Sequence, residues 1–412
     1  MKVPVVSSAS SFTTSNPPSF DDRLARRNAL LLALSTALAG ANATVIFATA
    51  AIVGSVLAPD KGLATLPISI FVVGMATGTL PVGWIAKRYG RRAAFFTGAV
   101  AGIITGLLAC LAVVQGLFSV LCLATFFGGF YAAAAQSYRF AAADSASAAF
   151  RPKAISWVLA GGIFAGVIGP QLVTHTMDLW QPYLFAATYL FQAAIAALSI
   201  LVLVQVKAPP PLAADGLETR PLGEIARQPK FIAAVICGIV SYGLMNFIMT
   251  SAPLAMKLCG HAVTDSNLAV EFHVIAMYGP SFFTGALIAR FGAVRIILVG
   301  MALIVAAAIA GHLGTTVPHF WAGMILVGLG WNFGFIGASA LVTETHRPSE
   351  RTKVQSFNDF LVFGTMVVGS FSSGRILIDF GWDMVNMIVF PLVFIGIVAL
   401  FSVKRVESRR AI

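Results

Sequence analysis

Apolar runs of about 20 residues recur along the whole of this 412-residue chain, and they constrain its fold more than any other feature. Each run can cross a hydrocarbon core of about 30 Å as a single helix. Only 10% of the residues are charged, whereas about 25% are charged in an ordinary soluble domain. The pattern predicts an all-α membrane protein with twelve transmembrane helices. The predicted spans are 29–57, 65–86, 93–113, 117–143, 154–176, 182–206, 230–257, 266–289, 294–313, 317–343, 354–377 and 383–403.

The basic residues are distributed unequally between the two ends of these spans. Of the 27 Lys and Arg residues, only Lys61, Lys257 and Arg375 fall on the side opposite to the N terminus. We call the side with the other basic residues the basic face, and the other side the opposite face. The positive-inside rule predicts that the basic face and both termini are cytoplasmic. The net charge of +11 therefore indicates topology rather than nucleic-acid binding.

Polar segments divide the predicted spans into two groups of six. Residues 1–28 are rich in Ser, Thr and Pro, which predicts a disordered cytoplasmic tail rather than a signal peptide. Residues 207–229 contain three consecutive prolines and predict a central cytoplasmic loop. This loop separates an N-terminal bundle, 29–206, from a C-terminal bundle, 230–403. Residues 404–412 are expected to form a short cytoplasmic tail.

The two predicted bundles repeat each other in sequence. The segment Gly83–Gly90 matches Gly285–Gly292 at an offset of 202 residues. Other identities recur at an offset of 200 residues. These pairs are Gly128 and Gly328, Arg151 and Arg351, Lys153 and Lys353, Ser156 and Ser356, Val167 and Val367, and Gly169 and Gly369.

A short motif on the basic face connects this repeat to a known family. From Gly83 to Arg92 the chain reads G-x-x-x-x-R-x-G-R-R, which resembles the loop between the second and third helices of the major facilitator superfamily. The resemblance implies two pseudo-symmetric six-helix bundles that rock about a central site. The loop residues are candidates for a cytoplasmic gate, and Lys87 stands where the family usually has an acid. The gate candidates are Gly83, Arg88, Gly90, Arg91 and Arg92.

Four side chains with soft donor atoms lie in the seventh and eighth predicted spans. Met245 and Met249 are one helical turn apart, and so are His273 and Met277. In a hairpin that turns near His261, Met249 lies level with His273, and Met245 lies level with Met277, because both helices rise equally per residue. This register predicts one metal site with four ligands.

A structural interpretation competes with metal binding at these residues. Methionine often fills gaps in apolar cores, and a lone buried histidine can hydrogen-bond to a neighbouring helix. The conjunction of four such residues at matching depths favours ligation. Thioether and imidazole donors select copper over zinc and the hard cations.

These motifs also resemble those of a particular branch of the superfamily. Met245-Asn-Phe-Ile-Met249 and His273-Val-Ile-Ala-Met277 are similar to the paired motifs of the CcoA-type bacterial copper importers. The resemblance implies that copper is the transported substrate, that it enters across the bacterial inner membrane, and that it supplies the assembly of haem–copper cytochrome oxidase. A close branch of these transporters carries riboflavin, so the resemblance also allows an organic substrate.

The cysteines do not form a recognisable framework. Cys110, Cys122, Cys237 and Cys259 lie in or beside the predicted spans without close spacing, which argues against a disulfide framework or a zinc finger. Cys237 and Met256 lie in the seventh predicted span, and Cys259 lies just beyond its outer end. These three residues are candidate relay positions for the metal.

Two acids are candidates for coupling transport to a proton. Glu271 lies near the opposite face, and Asp359 lies inside the eleventh predicted span. Acids within membrane spans commonly take part in proton relays. The competing interpretation of Asp359 is an ion pair with Arg351 or Lys353.

An organic solute such as riboflavin or a drug is the main alternative substrate. Trp157, Trp331 and Asn332 are the aromatic and amide side chains that could recognise it. Pro253 and Pro280 are expected to loosen their helices, which supports transport of any substrate.

Other function classes fit less well. A non-transporting membrane copper sensor or assembly partner is a third alternative, although the central loop has no signalling-domain composition. No nucleophile–base set or phosphate loop occurs, so the chain is not expected to be an enzyme or to need a cofactor. We expect a monomer in the lipid bilayer with copper as substrate, a copper chaperone as a candidate partner, and no nucleic-acid partner.

Overall fold

The structure, a computed structural model, describes residues 22–60, 63–64, 66–207 and 219–410. These ranges are almost wholly helical. The helices are α1 (Asp22–Leu57), α2 (Leu66–Tyr89), α3 (Arg91–Gln115), α4 (Phe118–Gln136), α5 (Tyr138–Asp144), α6 (Arg151–Thr176), α7 (Ala186–Leu203), α8 (Leu222–Ala226), α9 (Pro229–Leu258), α10 (Val263–Tyr278), α11 (Ser281–Phe291), α12 (Ala293–Leu313), α13 (Val317–Val342), α14 (Arg351–Met387) and α15 (Val389–Arg410).

The helices confirm the predicted all-α membrane fold. Within the described ranges, ten helical stretches are long and apolar enough to cross a membrane, and the bent pair α10–α11 brings the number to eleven. The predicted eleventh span lies in α14, before Gly381, whose φ of +80° interrupts the helix. The predicted twelfth span follows this break. Each of the twelve predicted spans therefore falls on one helix or on two consecutive helices.

The ends of the chain differ in detail from the prediction. The first helix begins at Asp22, within the predicted tail, and this carboxylate accepts hydrogen bonds from the backbone N–H and the hydroxyl of Ser147, at 3.0 and 2.8 Å. The last helix continues to Arg410, through most of the predicted C-terminal tail. Residues 1–21 of the predicted N-terminal tail lie outside the described residues.

The central loop is attached to the C-terminal bundle where it is described. The guanidinium of Arg220 donates to the Glu350 carboxylate at 2.9 and 2.6 Å, and this carboxylate also accepts the backbone N–H of Arg220. These hydrogen bonds lower the pKa of Glu350 to about 2. Lys353 donates to the carbonyl of Arg220 at 2.7 Å. The end of the loop is therefore fixed to the start of α14, and residues 208–218 lie outside the described part of the chain.

The helices pack as two bundles that meet along one surface, which we call the seam. In the N-terminal bundle, α1 packs on α6 and α7, and α4 packs on α2 and α3. In the C-terminal bundle, α9 and α13 are central, with α10, α12, α14 and α15 around them. Across the seam, α2 packs on α14, and α6 packs on α11 and the adjacent α10 and α13.

The eighth span is broken in the middle. The segments before and after Gly279 and Pro280 are bent by 41°, as expected because proline has no N–H to continue a helix. Asn332 of α13 stabilises the break, since its amide donates to the carbonyl of Met277 at 2.7 Å and to the hydroxyl of Ser281 at 2.6 Å. The break is thus held by a buried side chain of the neighbouring helix.

Two related contacts bring the bundles close together at the basic face. A Cβ added at Gly83 of α2 would lie 2.5 Å from the Cβ of Ser356 on α14, and one added at Gly285 of α11 would lie 2.7 Å from the Cβ of Ser156 on α6. Gly83 and Gly285 are repeat partners, and so are Ser156 and Ser356. Each glycine of one bundle therefore contacts the repeated serine of the other bundle, as a pseudo-two-fold arrangement requires.

Substitution at Gly83 tests this close packing. Gly83→Ala places a methyl group where the Ser356 side chain lies, so we expect a lower melting temperature of the purified protein. Gly364→Ala is the matched control, because a Cβ there meets nothing within 4 Å and alanine favours a helix by up to about 1 kcal/mol. Equal melting temperatures for the two variants would contradict the packing at the seam.

Candidate functional site

A buried ion-pair network closes the seam at the basic face. Arg91, at the start of α3, lies 2.8 Å from the carboxylate of Asp144 at the end of α5. Arg91 also donates to the side-chain oxygen of Gln355 on α14. Arg351, at the start of α14, lies 3.5 Å from the same Asp144 carboxylate. Since α3 and α5 belong to the N-terminal bundle and α14 to the C-terminal bundle, the network joins the two bundles.

The candidate gate loop supplies three of the residues at this closure. Gly83 makes the close approach to α14, and Gly90 has a φ of +90°, a conformation that favours glycine. Arg91 follows this turn directly and is buried. The turn therefore aims the Arg91 side chain into the seam.

The other two arginines of the loop lie away from the seam contacts. Arg88 packs over the rings of Trp84 and Tyr89, at 6.0 and 5.6 Å from their centroids. Arg92 donates to the carbonyl of Val204 at 3.0 Å, within the N-terminal bundle. The structure thus brings Arg91 to the closure and leaves Arg88 and Arg92 on the surface of one bundle.

A second ion pair crosses the seam deeper in the protein. Arg139 of α5 is fully buried, and its Nη2 lies 2.5 Å from Oδ1 of Asp359 on α14. Its Nε donates to the hydroxyl of Ser339 on α13 at 3.2 Å. Asp359 lies roughly 12 Å along α14 from Arg351, at a rise of about 1.5 Å per residue. This pair therefore joins the bundles inside the membrane-spanning region.

The expected partners of Asp359 are wrong. Arg351 faces Asp144, and Lys353 donates to the backbone of the central loop. Both lie near the start of α14, whereas Asp359 is deeper and faces α5. Arg139, which the charge pattern assigns to the basic face, is instead buried in the seam.

The other candidate for proton coupling has no buried surroundings. Glu271 is exposed on the surface of α10. Nothing in its position couples it to the seam.

A cluster of aromatic rings lies beside the deeper ion pair, and we call it the aromatic cluster. Its members are Tyr242 of α9, Tyr278 of α10, Trp331 and Phe335 of α13, and Phe363 of α14. The rings of Trp331 and Phe335 are stacked with their centroids 5.3 Å apart, and Tyr242 meets both edge-on, at 5.5 and 4.9 Å. Trp331 lies roughly 20 Å along α13 from the opposite face, so the cluster is near the membrane midplane.

The aromatic cluster contacts the N-terminal bundle at two positions. Gly162 of α6 lies so close to the ring of Tyr278 that an added Cβ would overlap it. The guanidinium of Arg139 lies 4.8 Å from the centroid of Phe335 on the other side. The cluster therefore lies at the seam, between two contacts made by the N-terminal bundle.

Three side chains of α9 and α13 have buried polar atoms with no protein partner. Nε1 of Trp331, Oγ of Ser241 and Nδ2 of Asn246 are buried and have no hydrogen-bond partner among the described residues. Ser241 and Asn246 both lie on α9, Ser241 directly before Tyr242 and Asn246 one helical turn after it. Each of the three groups can donate a hydrogen bond, and a buried donor without a partner costs about 1–3 kcal/mol.

The four predicted metal ligands lie in the C-terminal bundle. Met245 and Met277 are buried, and Met249 is half-buried. His273 is fully buried, and its Nδ1 lies 2.9 Å from the carbonyl oxygen of Met324. Among the described residues, no group of three His, Cys, Asp or Glu side chains is arranged to hold a metal ion. A metal ion here would therefore depend on the thioethers, and the ligand set stays a prediction.

The second ring nitrogen of His273 is chemically distinct. A carbonyl oxygen only accepts hydrogen bonds, so Nδ1 carries the proton. In the neutral ring, Nε2 then bears a lone pair and no hydrogen. Nε2 is buried and finds no partner in the described part of the chain. One nitrogen thus makes the structural hydrogen bond to a neighbouring helix, and the other can accept a donor or bind a soft metal.

The packing of α9 and α10 differs from the expected hairpin. The chain turns at Gly260, whose φ is +80°, and at His261, as expected. However, α10 packs chiefly along α13 rather than along α9. Gly328 allows this approach, because a Cβ added there would lie 2.7 Å from the carbonyl oxygen of His273. The side-by-side hairpin is therefore wrong, since adjacency in sequence does not make α9 the main neighbour of α10.

The candidate relay residues are dispersed. Cys237 is buried, with its thiol 3.8 Å from the carbonyl oxygen of Gly396 on α15. Met256 is also buried, whereas Cys259 is exposed at the end of α9. The burial of Cys237 and Met256 is also what packing residues of an apolar core would show. The metal relay stays a prediction.

The side chains considered for an organic solute have separate positions. Trp331 is in the aromatic cluster with its N–H unpaired. Asn332 is bound to the broken helix, and its Oδ1 accepts the hydroxyl of Thr284 at 2.6 Å. Trp157 lies against Phe150, with the ring centroids 5.3 Å apart, in the N-terminal bundle. Of the three, Trp331 is the one with a buried N–H that has no partner among the described residues.

Several seam residues have only weak sequence signals. Arg139 lies inside a predicted span, 117–143, and a charged residue within a span indicates a buried partner. Asp144 follows directly after that span. Tyr242, Tyr278 and Phe335 have no such signal, because aromatic residues are common throughout these helices.

Comparisons with known proteins agree with this architecture. A family model described as Major Facilitator Superfamily matches residues 32–277 and 234–412. The riboflavin transporter RfnT of Brucella anthropi is 44% identical over 385 residues, which cover 92% of this chain and 96% of that protein.

Two solved structures have the same fold. The human organic anion transporter MFSD10 has a TM-score of 0.73 at 14% identity and covers 93% of this chain and 100% of its own. The proton:xylose symporter XylE has a TM-score of 0.73 at 14% identity and covers 93% of this chain and 96% of its own.

Proposed function

We propose that this chain, which belongs to the Major Facilitator Superfamily, transports a neutral, planar heteroaromatic solute of the flavin class across the bacterial cytoplasmic membrane. The observation that carries the proposal is Trp331, a buried ring at the seam with an N–H that has no partner among the described residues. The similarity to a riboflavin transporter over 92% of the chain supports the same class of substrate.

The chemistry of the aromatic cluster suits such a solute. An isoalloxazine ring offers a large π-surface, and stacking of a planar base on an aromatic side chain contributes about 1–3 kcal/mol. Its carbonyl oxygens and ring nitrogens accept hydrogen bonds, which suits the unpaired N–H of Trp331. This donor is uncharged, and Arg139 beside the cluster is already paired with Asp359, which favours a neutral solute.

Transport follows from the position of the cluster at the seam. The bundles are joined at the basic face by the ion-pair network and by the glycine–serine contacts. Rocking of one bundle against the other would break these contacts and expose the cluster to the basic face. We propose that the basic face is cytoplasmic, in accordance with the positive-inside rule.

Copper is a second candidate substrate on the strength of one observation. The lone pair of His273 Nε2 is buried and has no partner among the described residues, and Met277 follows one turn later. Two findings weigh against copper. The family model supports membership of the superfamily but not of its copper-importing branch, and the relative named above is a riboflavin transporter. Copper import and a role in cytochrome oxidase assembly therefore rank below flavin transport.

Uptake of radiolabelled riboflavin by proteoliposomes tests the flavin proposal. Trp331→Phe keeps a ring for stacking but removes the N–H donor, so we expect about tenfold lower uptake at subsaturating riboflavin, as the loss of one hydrogen bond of about 1.4 kcal/mol implies. Trp84→Phe is the matched control, since Trp84 is exposed on α2. No uptake by the wild-type protein, or equal uptake by the two variants, would contradict the proposal.

Accumulation of Cu(I) in the same proteoliposomes tests the second candidate. A flavin transporter is expected to accumulate riboflavin and no copper. Copper accumulation that is lost in His273→Leu and Met249→Leu, but kept in the exposed-site control Met384→Leu, would favour the copper site instead. Copper that binds without accumulating would indicate a sensor.

A further inference from the structure

The two side chains of the Arg139–Asp359 ion pair differ in the support that each receives from its own bundle. Arg139 has partners in its own bundle, since it donates to Oε1 of Gln136 at 3.1 Å and lies 4.3 Å from the ring centroid of Phe140. Within the C-terminal bundle, the carboxylate of Asp359 accepts a hydrogen bond from the Asn358 amide at 3.0 Å. The guanidinium is therefore supported without Asp359, whereas the carboxylate depends on Arg139 for its charge compensation.

We infer that Asp359 is the proton-binding site of the transport cycle and that Arg139 is its partner while the basic face is closed. This inference goes beyond the proposed function, because it assigns the coupling ion. Opening at the basic face separates α5 from α14 and so removes Arg139 from Asp359. A carboxylate that has lost its cationic partner binds a proton more readily, because the cation no longer favours the charged form.

The other buried acid at the seam differs in one decisive respect. Asp144 and its partner Arg91 both belong to the N-terminal bundle, and they lie 2.8 Å apart. Asp144 therefore keeps this partner when the bundles separate, although it loses Arg351. Only Asp359, of these two acids, has its cationic partner entirely on the other bundle.

The charged and titratable groups around Asp359 are consistent with a single proton site. Arg139 of α5 is the nearest cation, and Arg91 of α3 contributes a weaker attraction. The hydroxyl of Tyr242 on α9 faces the pair as well. Beyond Arg91 lie Asp144, Arg351 and His346, which form the network nearest to the basic face.

The pair also contacts the aromatic cluster. Phe335 receives the Arg139 guanidinium on its ring at 4.8 Å and stacks on Trp331 with the centroids 5.3 Å apart. A solute that displaces Trp331 or Phe335 therefore changes the support of Arg139. This contact provides a physical route by which solute binding and proton binding influence each other.

Transport driven by a proton gradient tests the inference. An inward gradient of about one pH unit can raise the accumulation of a neutral solute up to about tenfold when one proton moves with it. In proteoliposomes, we expect the gradient to increase riboflavin accumulation by the wild-type protein. In Asp359→Asn the increase is expected to disappear, while riboflavin exchange between the two sides continues.

The controls separate a coupling defect from misfolding. Asp379→Asn removes an exposed carboxylate that lies 3.3 Å from Arg375, and it is expected to behave as the wild type in both assays. Asp359→Asn that responds to the gradient as the wild type does, or a wild-type protein that transports riboflavin without any response, would overturn the inference.

A measurement without solute keeps the inference separate from the proposed function. Spin labels at Lys87→Cys and Arg227→Cys, in protein without the native cysteines, report the distance between α2 and α8 at the basic face. Acidification is expected to lengthen this distance in the wild type, whereas Asp359→Asn is expected to show the long distance at every pH. A wild-type distance that ignores pH, or an Asp359→Asn protein with the wild-type response, would overturn proton binding at Asp359. Failure of riboflavin transport alone would overturn only the proposed function.

Discussion

The close approach of the two bundles at the basic face is the contact on which the rest of the structure depends. In a bilayer, association of helices is driven by close packing and polar contacts, because lipid is as apolar as the helix surfaces. Gly83 against Ser356, and Gly285 against Ser156, provide this packing twice, once for each half of the repeat. The approach also buries Arg91 and Arg139, which then need acids at the seam.

The same contact encloses the aromatic cluster, where we propose that the solute binds. With the basic face closed, the aromatic cluster lies between the contact of Gly162 with Tyr278 and the guanidinium of Arg139. Its buried donors are held in place by rigid helices, and Asn332 fixes the broken helix beside them. Arg139 of the closed seam also contacts Phe335 of the cluster, so opening the seam changes the surroundings of the proposed site.

The sequence predicted the architecture well because its rules are strict. A backbone in lipid must satisfy its own hydrogen bonds, so apolar length alone locates the spans. The sequence repeat also indicates the two pseudo-symmetric bundles, and the paired contacts of Gly83 with Ser356 and of Gly285 with Ser156 follow that symmetry. The packing of α10 on α13 could not be predicted, because it depends on Gly328, which looks like many other glycines in the chain. The partner of Asp359 was missed since Arg139 was counted with the basic face although it lies within a predicted span.

The metal-ligand prediction, which stays untested, shows what spacing alone leaves open. Met245, Met249, His273 and Met277 have a regular spacing on two consecutive helices, but α10 packs mainly on α13, and His273 uses one nitrogen for a backbone hydrogen bond. The aromatic cluster combines residues from four helices, and no short motif contains it. Tyr242 and Trp331 therefore become visible as a site only when the helices are assembled.

Titration of riboflavin fluorescence with the purified protein tests the central claim most directly. Stacking of the isoalloxazine ring on Trp331 quenches its fluorescence, so saturable quenching is predicted for the wild-type protein, with much weaker quenching for Trp331→Ala. Unchanged fluorescence at every protein concentration, or equal quenching by Trp331→Ala, would contradict the binding of a flavin at the aromatic cluster.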